Sequence, residues 1–383
     1  MKTRQLDLDF RQDQAPEFFD QRLHRLHGAA FRAAMTGIPG AVVNTPQERL
    51  LTTIPYVSGS TARVYSPDIP RSLYPYWVLK LAGAYTKTEG AAGTLAPEGP
   101  LPLISGIRVL LDGEVIRDVD PMHLRVLSHH IGRGIDTDLT NITLGADTAE
   151  AFAARLMMDF RTLRSERPEA TYLPSHRYGQ LGIEVDWAAS SAAGVEAMIA
   201  GGTYTVASFA TAPTLQVWGM EILNPTAMNA RYWLQKITQK VFPVSSVAQT
   251  AGVFQLPVGE VLRGILISQY TNAPRTPIST LVTATGNVVI RASGTYRKYE
   301  TTWGEQMMKN KADYGVALPA GYIFLDFMNP DNGGLFSHAL RTDSASGITQ
   351  LEALVDTASV ANAFLQFTFV TFKPARNPGN AGR

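Results

Sequence analysis

The sequence predicts an all-β fold: two tandem antiparallel β-sandwiches behind an N-terminal amphipathic helix. Two observations carry that expectation. First, the chain contains an imperfect copy of itself. Residues 69–86 (IPRSLYPYWVLKLAGAYT) are answered by 256–271 (LPVGEVLRGILISQYT), 181–186 (LGIEVD) by 351–356 (LEALVD), and 215–218 (LQVW) by 365–368 (LQFT). A repeat of this length means two units of one fold. Second, between residue 50 and the C-terminal tail, short runs rich in Val, Ile, Leu, Thr and aromatics alternate with Gly, Pro, Asn and Asp, the texture of strands and turns.

The elements follow in order. In residues 16–36, Phe19, Leu23, Leu26 and Ala30 fall on one helical face, while Arg22, Arg25 and Arg32 share another. Pro16 fits the first turn, and Gly37 with Pro39 ends the helix. In the first copy, strands are expected at 50–57, 61–66, 76–85, 104–111, 114–118, 152–160, 180–187, 203–209 and 213–222. In the second they are expected at 234–245, 251–255, 261–269, 279–285, 287–292, 321–327, 349–356 and 363–372. Each copy also shows a hairpin followed by a helix, with tips at Gly113 and Gly286 and helices at 121–131 and 296–311. The first copy is longer through insertions at 87–100 and 188–212. Loops cluster at the ends of a sandwich, so both should decorate one end of the first unit. The division is then residues 1–45, helix and linker; 46–223, first sandwich; 224–373, second sandwich; and 374–383, tail.

Composition narrows the function. A chain of 383 residues exceeds one comfortable core. Its net charge of +1 provides no global field for nucleic acid, and its lack of cysteine excludes disulfides and thiolate metal sites. Charged residues make up 17%, below the roughly 25% usual in soluble domains, as expected if much of the surface is buried against other subunits. The N-terminus lacks a signal-peptide core, and no stretch is long and apolar enough for a membrane-spanning helix.

Candidate chemistry is sparse. Glu184 and Asp186 alternate on a predicted strand and so share a face, as in the acid pair of β-sandwich glucan hydrolases. However, the third acid of that pattern is replaced by Ala189, and the repeat sets Leu354 opposite Glu184. His123, His129 and His130 lack the spacing of a metal-binding strand. Asp120 before Pro121 reads as a helix cap, and the loop 329–334 (NPDNGG) as a turn, although both have the composition of calcium ligands. No cofactor is called for, no phosphate loop or catalytic triad is present, and no enzyme is expected.

This arrangement, with its long repeat and preceding helix, resembles the double jelly-roll major capsid proteins of tailless icosahedral, tectivirus-like bacteriophages with an internal membrane, and of related viruses. The resemblance covers about residues 45–375 and rests on architecture rather than on a short motif. It implies a viral coat protein whose homotrimers mimic sixfold symmetry and tile an icosahedral shell, assembled in the host cytoplasm and located in the virion. The implied partners are neighbouring capsomers, minor capsid proteins and the internal viral membrane, with no sequence-specific nucleic acid. Phe19, Arg22, Leu23, Arg25, Leu26 and Arg32 would then face the membrane or an adjacent capsomer. Two other readings stay open: a carbohydrate-active or carbohydrate-binding sandwich using Glu184 and Asp186, and a minor capsid or vertex protein.

Overall fold

The structure, a computed structural model, describes residues 46–87, 93–95, 99–133, 138–139, 143–144, 149–162, 165, 168–189, 199–200, 207–222, 232–271, 275–293, 296–328 and 336–376. The expected N-terminal helix, the tail beyond Arg376 and the loop 329–334 lie outside these residues.

Eight principal strands and a helical segment form the first half. They are β1 (Pro46–Pro55), β2 (Thr61–Tyr65), β3 (Tyr76–Lys87), β4 (Ile104–Leu111), β5 (Glu114–Val119), α1 (Pro121–Arg125, continued by a π-helical stretch Val126–Arg133), β6 (Ala149–Asp159), β7 (Leu181–Trp187) and β8 (Ala207–Ile222). The second half repeats them: β9 (Trp233–Pro243), β10 (Gln249–Leu256), β11 (Val261–Thr271), β12 (Asn287–Ala292), β13 (Tyr296–Thr302), α2 (Trp303–Tyr314), β14 (Tyr322–Asp326), β15 (Leu351–Thr357) and β16 (Ala363–Pro374). In the first half the sheets run β1-β8-β3-β6 and β2-β7-β4-β5; in the second they run β9-β16-β11-β14 and β10-β15-β12-β13. The order is the same with each number raised by eight. Both halves are therefore jelly rolls of one topology, with Greek-key crossings between two facing sheets.

Alternation explains the cores. Leu181, Ile183 and Val185 of β7 fill the first core, and Leu351, Ala353 and Val355 of β15 fill the second. Both insertions lie at the same end of the first roll. A small sheet there joins Gly93–Leu95 to Thr143–Leu144 and Ile199–Ala200, tying the two insertions to the β5–β6 excursion.

The structure corrects the second copy in three places. Residues 279–285 are turns, not a strand. The second hairpin is β12–β13, so Gly286 precedes it instead of forming its tip. Residues 296–302 are a strand, and the helix begins only at Trp303. The reason is a capping box: Thr302 accepts from the Glu305 amide, and the Glu305 carboxylate accepts from the Thr302 amide. A fourth correction concerns register. Aligning Thr86 with Thr271 sets Leu81 on Leu266, yet Leu79 and Leu81 face the first core, whereas Ile265 and Ile267 face the second and Leu266 points away from it. The repeat holds strand for strand there, but its parity is shifted by one.

The two rolls share a sheet. β9 runs parallel beside β5, with Ile237 opposite Arg117, so the β2-β7-β4-β5 sheet continues into β9-β16-β11-β14. The outer face of the latter is also buried. Leu234, Ile237, Leu266, Phe324 and Val370 join the first core, beside Met122 and Leu124 of α1.

Candidate functional site

Glu184 and Asp186 lie together on the outer face of β7, as their spacing predicts, and both are engaged. Glu184 sits opposite Arg63 of β2 and Arg108 of β4. It accepts from Tyr65 Oη at 2.6 Å and from Arg108 Nε at 3.0 Å, with Arg63 Nε at 3.2 Å. Asp186 accepts from Arg108 Nη2 at 2.8 Å and from Thr61 Oγ1 at 2.5 Å. Partial burial works against the Glu184 charge, but the hydrogen bonds from Tyr65 and Arg108 hold its carboxyl below the usual range. Glycoside hydrolysis needs one carboxyl group kept protonated as the acid. This pair is instead a hydrogen-bonded clamp across three strands.

The second roll carries a similar clamp two residues earlier on the equivalent strand. Glu352 of β15 faces Arg291 of β12 and Gln255 of β10, at 2.5 Å from Arg291 Nη2 and 2.6 Å from Gln255 Nε2. Leu181 lies opposite Leu111 and Leu351 opposite Ala292, so Leu354 stays aligned with Glu184, and Glu352 stands two residues earlier, at the position of Gly182. Glu184→Gln removes the charge from one clamp while Asp186 still holds Arg108. It should lower stability by roughly 1–2 kcal/mol in chemical denaturation, the scale of hydrogen bonds to charged groups. A variant as stable as the parent would show that the clamp contributes nothing.

The histidines are structural. His129 Nε2 accepts from the Met157 amide at 3.1 Å, and His129 and His130 are buried in the π-helical stretch. His123 is fully buried between the rolls, with Nδ1 2.6 Å from Thr368 Oγ1 and Nε2 2.6 Å from Ser268 Oγ. Both hydroxyls are on the second roll, and burial pushes the imidazole down to about 4, so it is neutral at pH 7. Asp120 caps α1 as expected, accepting from the His123 amide at 2.8 Å. Its other oxygen meets Gln366 and, at 3.4 Å, Arg275. The sequence signalled the cap but not these partners, which come from the other copy. Among the described residues, no group of three or more His, Asp or Glu is placed to hold a metal ion.

The most constructed surface of the molecule is therefore the joint between its rolls: α1 and the β5 edge of the first, docked on the outer sheet face and β9 edge of the second. The equivalent surfaces lie at the far ends, where some of their apolar side chains are exposed. On the first roll, Leu50, Trp218, Val78 and Met157 form one cross-strand row over β1, β8, β3 and β6. Leu50 is 41% exposed, and Lys80 Nζ lies 4.2 Å over the Trp218 ring. On the second roll, α2 exposes Met307 and Met308, the latter at 68%. In the internal joint the corresponding outer row, Thr368, Leu266 and Phe324, is buried.

No protein-family model matches the sequence, and no curated protein matches it. Solved structures do match the fold. The major capsid protein of Sulfolobus Turreted Icosahedral Virus superposes with a TM-score of 0.62 at 13% identity, over 86% of this chain and 96% of that one. The major capsid protein P2 of bacteriophage PM2 gives 0.56 at 14% identity, over 87% and 99%. A chain of the PBCV-1 virus capsid gives 0.59 at 13% identity, over 86% and 93%. Together with the repeated strand order and the sheet shared by the rolls, these matches show that the chain has the double jelly-roll fold of the viral major capsid proteins.

Proposed function

We propose that this chain is a viral major capsid protein that builds an icosahedral shell from homotrimers, and that it acts in the virion as a structural protein. Its units are the two jelly rolls at 46–223 and 224–373. One observation carries the reading: the surfaces that join the two rolls recur at the chain's two ends, where Leu50, Met307 and Met308 are exposed. If α2 and the β13 edge of one subunit, unpaired among the described residues, dock on the β1-β8-β3-β6 face and β1 edge of the next, the internal joint is repeated between subunits. Three chains with two rolls each then close a ring of six similar walls. Each contact between subunits would be of the obligate class, on the order of 2,000 Å² or more. The small sheet of inserted loops at one end of the first roll would stand on the outer surface. Negative-stain electron microscopy of the purified protein tests this. Six-sided trimers or shells are expected, and a monomer across a broad concentration range would refute it.

In this reading residues 16–36 face the shell interior, with Phe19, Leu23 and Leu26 against a membrane surface or an adjacent capsomer. Arg22, Arg25 and Arg32 would each add roughly 1 kcal/mol toward an anionic surface. Deleting residues 1–36 should leave trimers but abolish shells or liposome binding. Loss of salt-sensitive liposome binding in Arg22→Glu/Arg25→Glu would assign the contact to lipid. Intact shells and intact liposome binding after the deletion would remove the role.

A further inference from the structure

A cavity of about 30 Å³ lies in the joint between the rolls, lined by Arg117, Arg161, Arg263, Asp159, Gln235 and Ser128 among apolar side chains. Its volume suits one small occupant. Arg161 is paired with Asp159 through two contacts, at 2.8 and 2.7 Å, and Arg263 faces Asp326 at 3.8 Å. Arg117 has no carboxylate of its own. It is 1% exposed, and only Nη2 is engaged, donating to Gln235 Oε1 at 2.9 Å and to the Asp159 carbonyl at 3.2 Å. Its Nε and Nη1 meet no acceptor.

Among the described residues, Arg117 thus brings a positive charge to the cavity wall without a carboxylate hydrogen-bonded to it. A buried, unpaired charge is among the most costly features a fold can carry, and guanidinium does not readily shed its proton. Burial pulls the Arg117 group down only to about 9, so it remains charged at neutral pH. Water would satisfy the two donors but not the charge. Gln235 and Ser128 supply neutral polar walls, and the room excludes phosphate or a carboxylate-bearing metabolite.

We infer that this cavity is a binding site for a single monovalent anion of the halide class, chloride, held by Arg117 between the two rolls. The ion would act as a fixed counter-charge within the joint, whether or not the chain builds a shell.

The test replaces sodium gluconate with sodium chloride at constant ionic strength and pH while thermal unfolding of the purified protein is followed. A site on the folded state alone should raise the midpoint by about 2 °C for each tenfold rise in chloride above its dissociation constant. Arg117→Met should abolish that dependence. Should this variant fail to fold, crystals of the parent protein soaked in sodium bromide decide the matter, with an anomalous peak expected beside Arg117 Nε and Nη1. A chloride-independent midpoint in the parent together with no bromide peak would overturn the site and leave water as the occupant.

Discussion

Trp218→Asp, and separately Met308→Asp, should yield a folded monomer of 41.7 kDa where the proposed ring would make the parent chain sediment as a trimer. Neither side chain belongs to the main cores. Trp218 packs with Tyr76, Val78, Met157 and Met220 on the outer face of the first roll, and Met308 is exposed on α2. Both should be silent for the monomer's fold. In a ring that repeats the internal joint, however, Trp218 lies on the face equivalent to the one that buries Leu266 and Phe324 within the chain, and Met308 lies on the helix equivalent to α1. An ionised carboxylate in such a contact is stripped of water without a partner. With the lost aromatic or thioether packing, the cost is on the order of 2–4 kcal/mol at every joint. Combining Trp218→Asp with Met308→Lys should restore part of the association if the two positions meet across the interface. Sedimentation velocity decides: trimers of undiminished stability in both single variants would place the subunit contact elsewhere.

The strand order was legible where a strand has one dry face. In β7 and β15 the inward Leu181, Ile183 and Val185, or Leu351, Ala353 and Val355, alternate with Gly182, Glu184 and Asp186, or with Glu352, Leu354 and Asp356, and the acids mark the outer face. β11 is different. From Leu262 to Tyr270 every residue is buried, because one face meets its own core and the other meets the first roll. Such a strand reads as a continuous apolar run, and no alternation remains to set its parity. That is why the repeat was aligned one residue out of step there. The clamp at Glu352 was hidden for a related reason. Its partners Arg291 and Gln255 lie on two other strands, and only the register brings them together. The start of α2 is legible, since Thr302 and Glu305 spell a capping box. Nothing in the sequence linked His123 to Ser268 and Thr368, which are separated from it by more than a hundred residues and belong to the other copy.

That buried histidine makes the joint between the rolls sensitive to acid. His123 is held neutral by burial, with its group lowered from an ordinary 6.5 to about 4. The unfolded chain therefore binds a proton near pH 6.5 that the folded chain resists until about pH 4. The stability this contributes is complete above pH 6.5 and is lost as pH falls toward 4, on the order of 3 kcal/mol in total. Asp120 acts in the same direction. Burial opposes its charge, but Arg275 and the hydrogen bonds it accepts hold its carboxyl below the usual range, so its contribution also fades in acid. The groups around His123 offer an added proton little: the Thr368 and Ser268 hydroxyls, the edge of the Tyr322 ring, Asp120 on its own turn, and Arg275, which repels it. Protonation would turn both ring nitrogens into donors, whereas the neutral ring gives one and takes one. His123→Gln keeps a donor and an acceptor but has no proton to gain. The parent protein should lose stability steeply between pH 6.5 and 4 in denaturant titrations, and His123→Gln should show a shallower loss, with Asp120→Asn as the control that leaves the histidine's share in place. If His123→Gln falls as steeply as the parent over that range, the acid sensitivity of this joint does not reside in His123.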